Sequence, residues 1–180
     1  MKMSSEKTCC PIDLLCEFRS NPIHIDEKHP RLSWKIKDSR NNAKQTAYQI
    51  VAATSLSSLK GNADLWDTGK VKSSESLDIE YAGKPLASRM TIYWKVKIWD
   101  LNGAESIWSE IAKFETAFLK TSDWKAEWIG LKQKENEPLP CFKREFTLKD
   151  NPVKAKLYIT AQGLFEASLN GRRVGEDYFT

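Results

Sequence analysis

The chain has 180 residues, 41% of them hydrophobic, and its 28 basic and 24 acidic side chains give a net charge of +4. This length suits one domain, or one domain and part of another, and seven tryptophans are enough for a packed core. The basic residues form no concentrated patch along the sequence, which argues against nucleic acid as a partner. No apolar run is long enough for a signal peptide or a membrane span, so we expect a cytoplasmic chain with no membrane contact.

Cysteine and histidine give no sign of a metal site. None of the four cysteines has CxxC spacing or a neighbouring histidine: Cys9, Cys10, Cys16 and Cys141. His24 and His29 lie five residues apart in a loop-like segment, and no third ligand or nucleophile accompanies them. We therefore expect reduced thiols of minor structural importance, no metal and no cofactor.

From Leu14 to Thr116 the sequence consists of short alternating segments separated by turn residues, which is the pattern of an all-β sandwich. A short helical turn is expected within Ser55 to Asp64, and an aromatic-anchored turn at Leu65 to Gly69. The predicted strands are Leu14 to Phe18, Arg31 to Lys37, Ala47 to Thr54, a segment near Leu77 to Tyr81, Thr91 to Asp100, and Glu110 to Thr116. The set predicts an immunoglobulin-like or fibronectin type III sandwich over residues 14–118.

The segment Thr91 to Asp100, TIYWKVKIWD, is the expected central strand of this sandwich. One side of the alternation is apolar and predicts burial: Ile92, Trp94, Val96 and Ile98. The pair Asn102-Gly103 follows directly and is typical of tight hairpin turns, so the next segment is expected to pair antiparallel. Trp34, in the predicted strand Arg31 to Lys37, should share the core with Trp94.

The other side of the same strand alternates aromatic and cationic groups. It carries Tyr93, Lys95, Lys97 and Trp99, and Trp108 lies beyond the turn on the expected neighbour. Two interpretations remain open: a contact face for sugar or protein, because sugar rings stack on aromatic side chains, or a ladder whose lysines lie over its own rings or which docks on another domain. The five residues are the candidate contact face.

A second unit is expected to begin near Ser122. Further strands are predicted at Trp124 to Gly130, Phe142 to Leu148, Val153 to Ala161 and Leu164 to Leu169, and Asn170-Gly171 is another tight-turn pair. These segments are too few for an eight-stranded jelly roll, so we predict an incomplete β-domain over residues 123–180. The connection Leu119 to Asp123 is expected to be protease-sensitive if few contacts cross it.

Acidic residues are numerous, and a glycosidase needs two carboxyl groups about 5 to 9.5 Å apart. The candidate groupings are Asp64 with Asp67, Glu75 with Asp78 and Glu80, and Glu176 with Asp177. They fall in turns, on expected exposed strand faces or at the end of the sequence, where nothing indicates a cleft that would shift a pKa. We therefore assign no catalytic residue in this chain.

Several motifs together resemble the N-terminal region of bacterial α-L-rhamnosidases. In order they are PRLSWKI from Pro30, QTAYQIVAAT from Gln45, LWDTGKV from Leu65, YWKVKIWD from Tyr93, WSEIAKFET from Trp108 and DWKAEWIG from Asp123, followed by KREFTL from Lys143 and AKLYITAQGLFEASLNGRRVG from Ala155. The resemblance covers roughly residues 14 to 180. Each motif is weakly specific, but their shared order is highly specific.

The resemblance implies a fibronectin-like domain followed by a jelly-roll domain, with the chemistry on a later (α/α)₆ barrel. It implies an inverting glycosidase that removes terminal α-L-rhamnose from rhamnosylated glycosides or polysaccharides, with one carboxyl as acid and one as base. The family's catalytic acids lie on the barrel, and no residue here inherits their role. The alternatives are a stand-alone binding module for carbohydrate or protein and a purely structural spacer.

Overall fold

The computed structural model describes residues 9–132 and 138–175, and the chain divides into two compact units, Met1–Trp128 and Ile129–Thr180. The first unit contains a short helix, α1, and a 3₁₀ turn at Thr121–Asp123. Its strands are β1 (Cys10–Cys16), β2 (Arg31–Lys37), β3 (Gln45–Ala53), β4 (Trp66–Asp67), β5 (Ile79–Glu80), β6 (Thr91–Asp100) and β7 (Ala112–Glu115), and α1 spans Leu56–Lys60.

These strands form two antiparallel sheets, one with the order β1-β2-β5 and one with the order β4-β3-β6-β7. The strand β6 pairs along its length with β3, where Tyr48 lies opposite Ile98, and with β7, where Ile92 lies opposite Phe114. This arrangement confirms the predicted immunoglobulin-like sandwich and the central place of β6.

Both sheets contribute to a single apolar core. Trp34 of β2 and Trp94 of β6 lie in it, as predicted, each only 1% exposed, together with Leu32, Ile50 and Phe114. The Trp34 Nε1 atom donates a hydrogen bond to Gln45 Oε1 at 3.0 Å. The Trp94 Nε1 atom is buried and has no hydrogen-bond partner among the described residues. The Trp94 indole is therefore held by packing alone.

The first strand begins at Cys10 rather than Leu14 and ends at Cys16 rather than Phe18. The alternation is misleading here because β1 is interrupted between Ile12 and Leu15, where Asp13 has a φ of 49°. Glu17 and Phe18 also have positive φ values of 46° and 62°, which turn the chain out of the sheet. Such dihedrals cannot be read from an apolar pattern.

Several hydrogen bonds connect the segment after β7 to the rest of the first unit. The Ser88 hydroxyl donates to Asp123 Oδ2 and accepts from the Leu119 amide, the latter at 2.7 Å. The rings of Phe118 and Trp124 also pack 4.8 Å apart. Protease sensitivity of the connection Leu119 to Asp123 was expected only if few contacts cross it. The hydrogen bonds and the ring contact described here do not meet that condition.

The second unit contains one hairpin in its described part, formed by β8 (Ser168–Leu169) and β9 (Arg172–Arg173). Its turn is the predicted Asn170-Gly171 pair, with φ values of 51° and 75° that match a type I′ turn. The segments 124–130, 142–148 and 153–161 are not strands in the described residues, contrary to the expectation. Alternation supplies an apolar face, but a strand forms only where a neighbour accepts its backbone hydrogen bonds.

The chain after β5 approaches Trp66 and Tyr81 closely at Gly83. A Cβ atom at this position would lie 2.6 Å from Trp66 Cβ and 2.6 Å from Tyr81 Oη. Tyr81 is 1% exposed and donates its hydroxyl to the Lys84 carbonyl oxygen at 2.8 Å, so it has little room to move. Only glycine fits this corner.

We expect Gly83→Ala to destabilise the first unit by about 1 to 3 kcal/mol, the usual range for overpacking a well-packed site. Gly61→Ala is the matched control, because its nearest atom, Ser57 O, would be 3.5 Å from the new Cβ. Urea unfolding of both variants measures the difference. Equal midpoints for the two variants would show that the corner adjusts without cost.

Candidate contact face

The outward side of β6 is more enclosed than an open strand face. Tyr93, Lys95 and Lys97 are half-buried, and Trp99 is only 8% exposed. At one end of the face, Tyr93 and Trp108 pack against a small buried cluster of Val51, Ala53 and Leu59. Tyr93 and Trp108 therefore form part of a second, smaller apolar layer on the outside of the four-stranded sheet.

Helix α1 contributes Leu59 to this layer and matches the predicted helical turn. Ser55 is its N-cap and accepts a hydrogen bond from the Ser58 amide at 3.1 Å, which satisfies one of the unpaired donors of the first turn. Leu59 is 3% exposed, and Lys60 lies in the last turn. The cap and one apolar contact are sufficient to hold this short helix on the sheet.

Two serine hydroxyl groups position Trp108. Ser106 and Ser109 accept hydrogen bonds from the β6 amides of Ile98 and Val96, both at 3.0 Å. Their own amides donate to the carbonyl oxygens of the same two residues, at 2.9 and 2.8 Å. The serines thus replace a regular strand neighbour along this part of β6, and Trp108 is held between them.

Three lysine ammonium groups lie over the two indole rings. Lys95 Nζ is 4.6 Å and Lys97 Nζ 4.8 Å from the Trp108 ring centroid. Lys97 Nζ is also 5.2 Å from the Trp99 centroid, and Lys70 Nζ is 4.5 Å from it. Each such contact contributes about 0.5 to 1 kcal/mol at an exposed site and more where it is desolvated.

The charge of the face is positive. Lys97 pairs with Glu105, and its side chain is only 15% exposed. Lys60, Lys70 and Lys95 form no ion pair within the described part of the chain. Burial lowers the pKa of Lys95, and the neighbouring charges of Lys97 and Lys60 lower it further.

The structure brings Lys95, Lys97, Trp99 and Trp108 together, while Tyr93 belongs to the apolar layer under α1. The sequence interpretation missed Lys70. This residue follows Gly69, whose φ of 58° turns the chain, but its position over Trp99 depends on how the segment after β4 lies beside β3. No local sequence pattern predicts the contact of Lys70 with Trp99.

Two of the candidate carboxyl groups, Asp64 and Asp67, accept structural hydrogen bonds. Asp64 accepts from the amide and hydroxyl of Thr54, and these bonds lower its pKa. Asp67 Oδ1 accepts from the side chain of Gln49 and from the Gly69 amide. A lowered pKa is the opposite of what a general acid needs. Glu176 and Asp177 lie outside the described residues.

The strongest ionic cluster lies at one end of the sandwich and centres on Arg40. Its guanidinium donates to Asp38 and to Asp100, each at 2.7 Å, and both carboxyl groups are nearly buried. Hydrogen bonds from Arg40 lower the pKa of both acids, and the amides of Ala104 and Asn102 assist at Asp100. The Cys9 thiol hydrogen-bonds to Asp38, although burial is the main reason that its pKa rises to about 11.

Two depressions mark the surface of the first unit. One, of about 320 Å³, is lined by residues that include Asp26, Phe118 and Trp124, and the other, of about 140 Å³, lies beside Arg40 and Asp100. Within residues 9–132 and 138–175 no cluster of three His, Cys, Asp or Glu side chains is arranged to hold a metal ion. In the same ranges no helix has the length and apolar character needed to span a membrane.

The two packed antiparallel sheets, β1-β2-β5 and β4-β3-β6-β7, define an immunoglobulin-like β-domain. The family model described as the Rha78A-like, N-terminal immunoglobulin domain matches residues 11–120. The chain belongs to this family, and it corresponds to an N-terminal region of α-L-rhamnosidases.

Individual relatives agree with this assignment. An α-L-rhamnosidase of Formosa agariphila is 41% identical over 173 residues, which cover 91% of this chain and 19% of the relative. The solved α-L-rhamnosidase of Dictyoglumus thermophilum is 45% identical with a TM-score of 0.66, covering 68% of this chain and 14% of that one. The Streptomyces avermitilis α-L-rhamnosidase complexed with L-rhamnose is 36% identical, also with a TM-score of 0.66, over 69% and 12% of the two chains. The chain thus spans about a fifth of the length of the curated relatives.

The Arg40 cluster predicts a defined dependence of stability on pH. Because Asp38 and Asp100 have lowered pKa values in the folded state, their stabilising contribution is complete above the unfolded pKa of about 3.9 and is lost as pH falls through the folded values. We expect the urea midpoint of the wild type to fall as the pH is lowered from about 4 toward about 2. Arg40→Gln should lower the midpoint at neutral pH and make this acid-induced fall smaller.

Lys35→Gln is the control, because the Lys35–Asp13 pair is largely exposed and such pairs contribute little. Its acid-induced fall should match that of the wild type. An unchanged pH profile in Arg40→Gln would show that the cluster does not set the acid stability.

Proposed function

We propose that the chain serves as a non-catalytic N-terminal portion of an α-L-rhamnosidase. Such an enzyme would remove terminal α-L-rhamnose from rhamnosylated glycosides or polysaccharides, with inversion, using an acid and a base from another domain. The carrying observation is the alignment of 91% of this chain with only 19% of a relative that is 41% identical. The remaining domains of the same enzyme would be its first partners.

The ionisable groups support a non-catalytic role. Four described carboxyl groups have lowered pKa values, and each is engaged by an arginine or a threonine: Glu17, Asp38, Asp64 and Asp100. Glycoside hydrolysis needs one carboxyl group that stays protonated near neutral pH. These four acids are tuned in the opposite direction, toward structural ion pairs and hydrogen bonds.

The purified 180-residue chain is expected to hydrolyse an aryl α-L-rhamnoside no faster than buffer does. Release of the coloured aglycone measures this. Turnover by the pure protein that disappears in Asp64→Asn or Glu17→Gln would contradict the proposal. Turnover that persists equally in both variants points to a co-purified enzyme, which a second purification step would remove.

We also propose the domain limits 14–118 for the fibronectin type III-like sandwich and 123–180 for part of a jelly-roll β-domain. Support comes from the second unit, where large apolar side chains in the described residues are mostly exposed, among them Ile129, Leu139 and Phe146. Uncovered apolar surface of this kind favours association. The cytoplasmic location stays a prediction, which cell fractionation tests.

A version ending at Phe118 is expected to remain folded and monomeric, while the 180-residue chain self-associates at equal concentration. Sedimentation velocity compares the two lengths, and circular dichroism checks that each is folded. A strictly monomeric 180-residue chain would contradict the incomplete-domain proposal. A truncated version that unfolds would instead place the domain limit beyond Phe118.

A further inference from the structure

We propose that the lysine–indole face, defined as Lys60, Lys70, Lys95, Lys97, Trp99 and Trp108, docks an acidic protein surface. The partner's aspartate and glutamate carboxylates would lie against the ammonium groups. The inference rests on the geometry of this face and stands whether or not the proposed enzymatic context is correct.

The first observation is charge imbalance on a preassembled surface. Lys95 and Lys97 both lie over the Trp108 ring, and Lys97 and Lys70 both lie over the Trp99 ring. The described ion pair on this face is that of Lys97 with Glu105. Carboxylates of a partner would therefore meet the Lys70 and Lys95 ammonium groups, which have indole neighbours and form no ion pair within residues 9–132 and 138–175.

The second observation is that Lys70, Lys95 and Lys97 already contact the indoles. A free lysine side chain loses up to about 2 kcal/mol of rotamer entropy when it is fixed. Here contact with the indoles holds the side chains before any partner arrives, so less entropy is lost on docking. The lowered pKa of Lys95 agrees, because an approaching carboxylate would offset the effects of burial and of the neighbouring lysines.

The third observation decides between a protein and a sugar chain. Sugar binding by aromatic residues needs an open ring face, whereas Trp99 is 8% exposed and both indoles carry lysine ammonium groups. The two depressions described above include no residue of this face. A sheet face with covered rings and positive charges suits a complementary protein surface better than a saccharide that must stack.

The test uses dye-labelled poly-L-glutamate as the probe and fluorescence anisotropy as the readout, with the full 180-residue chain. Binding is expected at low salt and should weaken toward 1 M salt, where charges are screened within about 3 Å. Lys95→Gln with Lys97→Gln should raise the half-saturating protein concentration roughly tenfold, which corresponds to about 1.4 kcal/mol.

Lys28→Gln with Lys37→Gln is the matched control. It removes the same charge from exposed lysines before and within β2, which belongs to the other sheet. Equal weakening in both double variants would reduce the effect to net charge and overturn the proposal. Absence of poly-L-glutamate binding to the wild type would also overturn it.

Two further arms keep the result decisive. Glu105→Gln removes the acidic member of the described ion pair and should tighten probe binding, which gives an answer even if the double lysine variant does not fold.

Polygalacturonate presents carboxylates on a sugar chain. If it binds the wild type more tightly than poly-L-glutamate and this preference is lost in the Lys95/Lys97 variant, the face recognises an acidic saccharide and the protein partner is ruled out.

Discussion

The structure depends on the two-sided strand β6. Its inward side chains, Ile92, Trp94, Val96 and Ile98, are at most 1% exposed and complete the core between the sheets. Its outward side chains include Lys95, Lys97 and Trp99 of the candidate face. Because successive residues of a strand point to opposite sides, a shift of one residue in the pairing would exchange these two sets and bury lysines. Pairing with both β3 and β7 prevents that shift.

Side-chain hydrogen bonds complete what the strands leave open. The hydroxyl groups of Ser106 and Ser109 satisfy β6 amides where no regular strand lies alongside, and the Thr116 hydroxyl accepts from the Met90 amide at 2.8 Å. Buried amides without partners are costly, so these bonds are needed for stability. They also have a positional consequence, since they hold Trp108 over the lysines of β6. The same bonds that close the core thus shape the outer face.

Charged groups play two different roles in this domain. At the Arg40 cluster, opposite charges lie within hydrogen-bonding distance and the two carboxylates are nearly buried, so the cluster is satisfied internally. On the lysine–indole face, cations lie over aromatic rings and opposite charge is scarce. The first arrangement ties together the β2–β3 loop and the end of β6. The second leaves a positive surface whose natural complement is acidic.

The sequence was sufficient to predict the sandwich, the limits of β2 and β6 and the two core tryptophans, and it placed Lys95, Lys97 and Trp99 on one side of β6. Each depends on the period of two along a strand, which is a local property. It was insufficient at β1, where positive φ values at Asp13, Glu17 and Phe18 interrupt the pattern, and at segments 124–130, 142–148 and 153–161, where alternation occurs without neighbouring strands.

Tertiary structure alone decided which groups surround the candidate face. Lys70 reaches Trp99 because the chain after β4 returns alongside β3, and Trp108 reaches Lys95 because two serines bind β6 across the hairpin. Sequence alternation tells which side of a strand a residue faces, but contacts between distant segments depend on how the sheets are assembled. For that reason lysines over the rings of β6 were one of the arrangements that the sequence allowed, whereas the place of Lys70 and the unbalanced charge were not predictable.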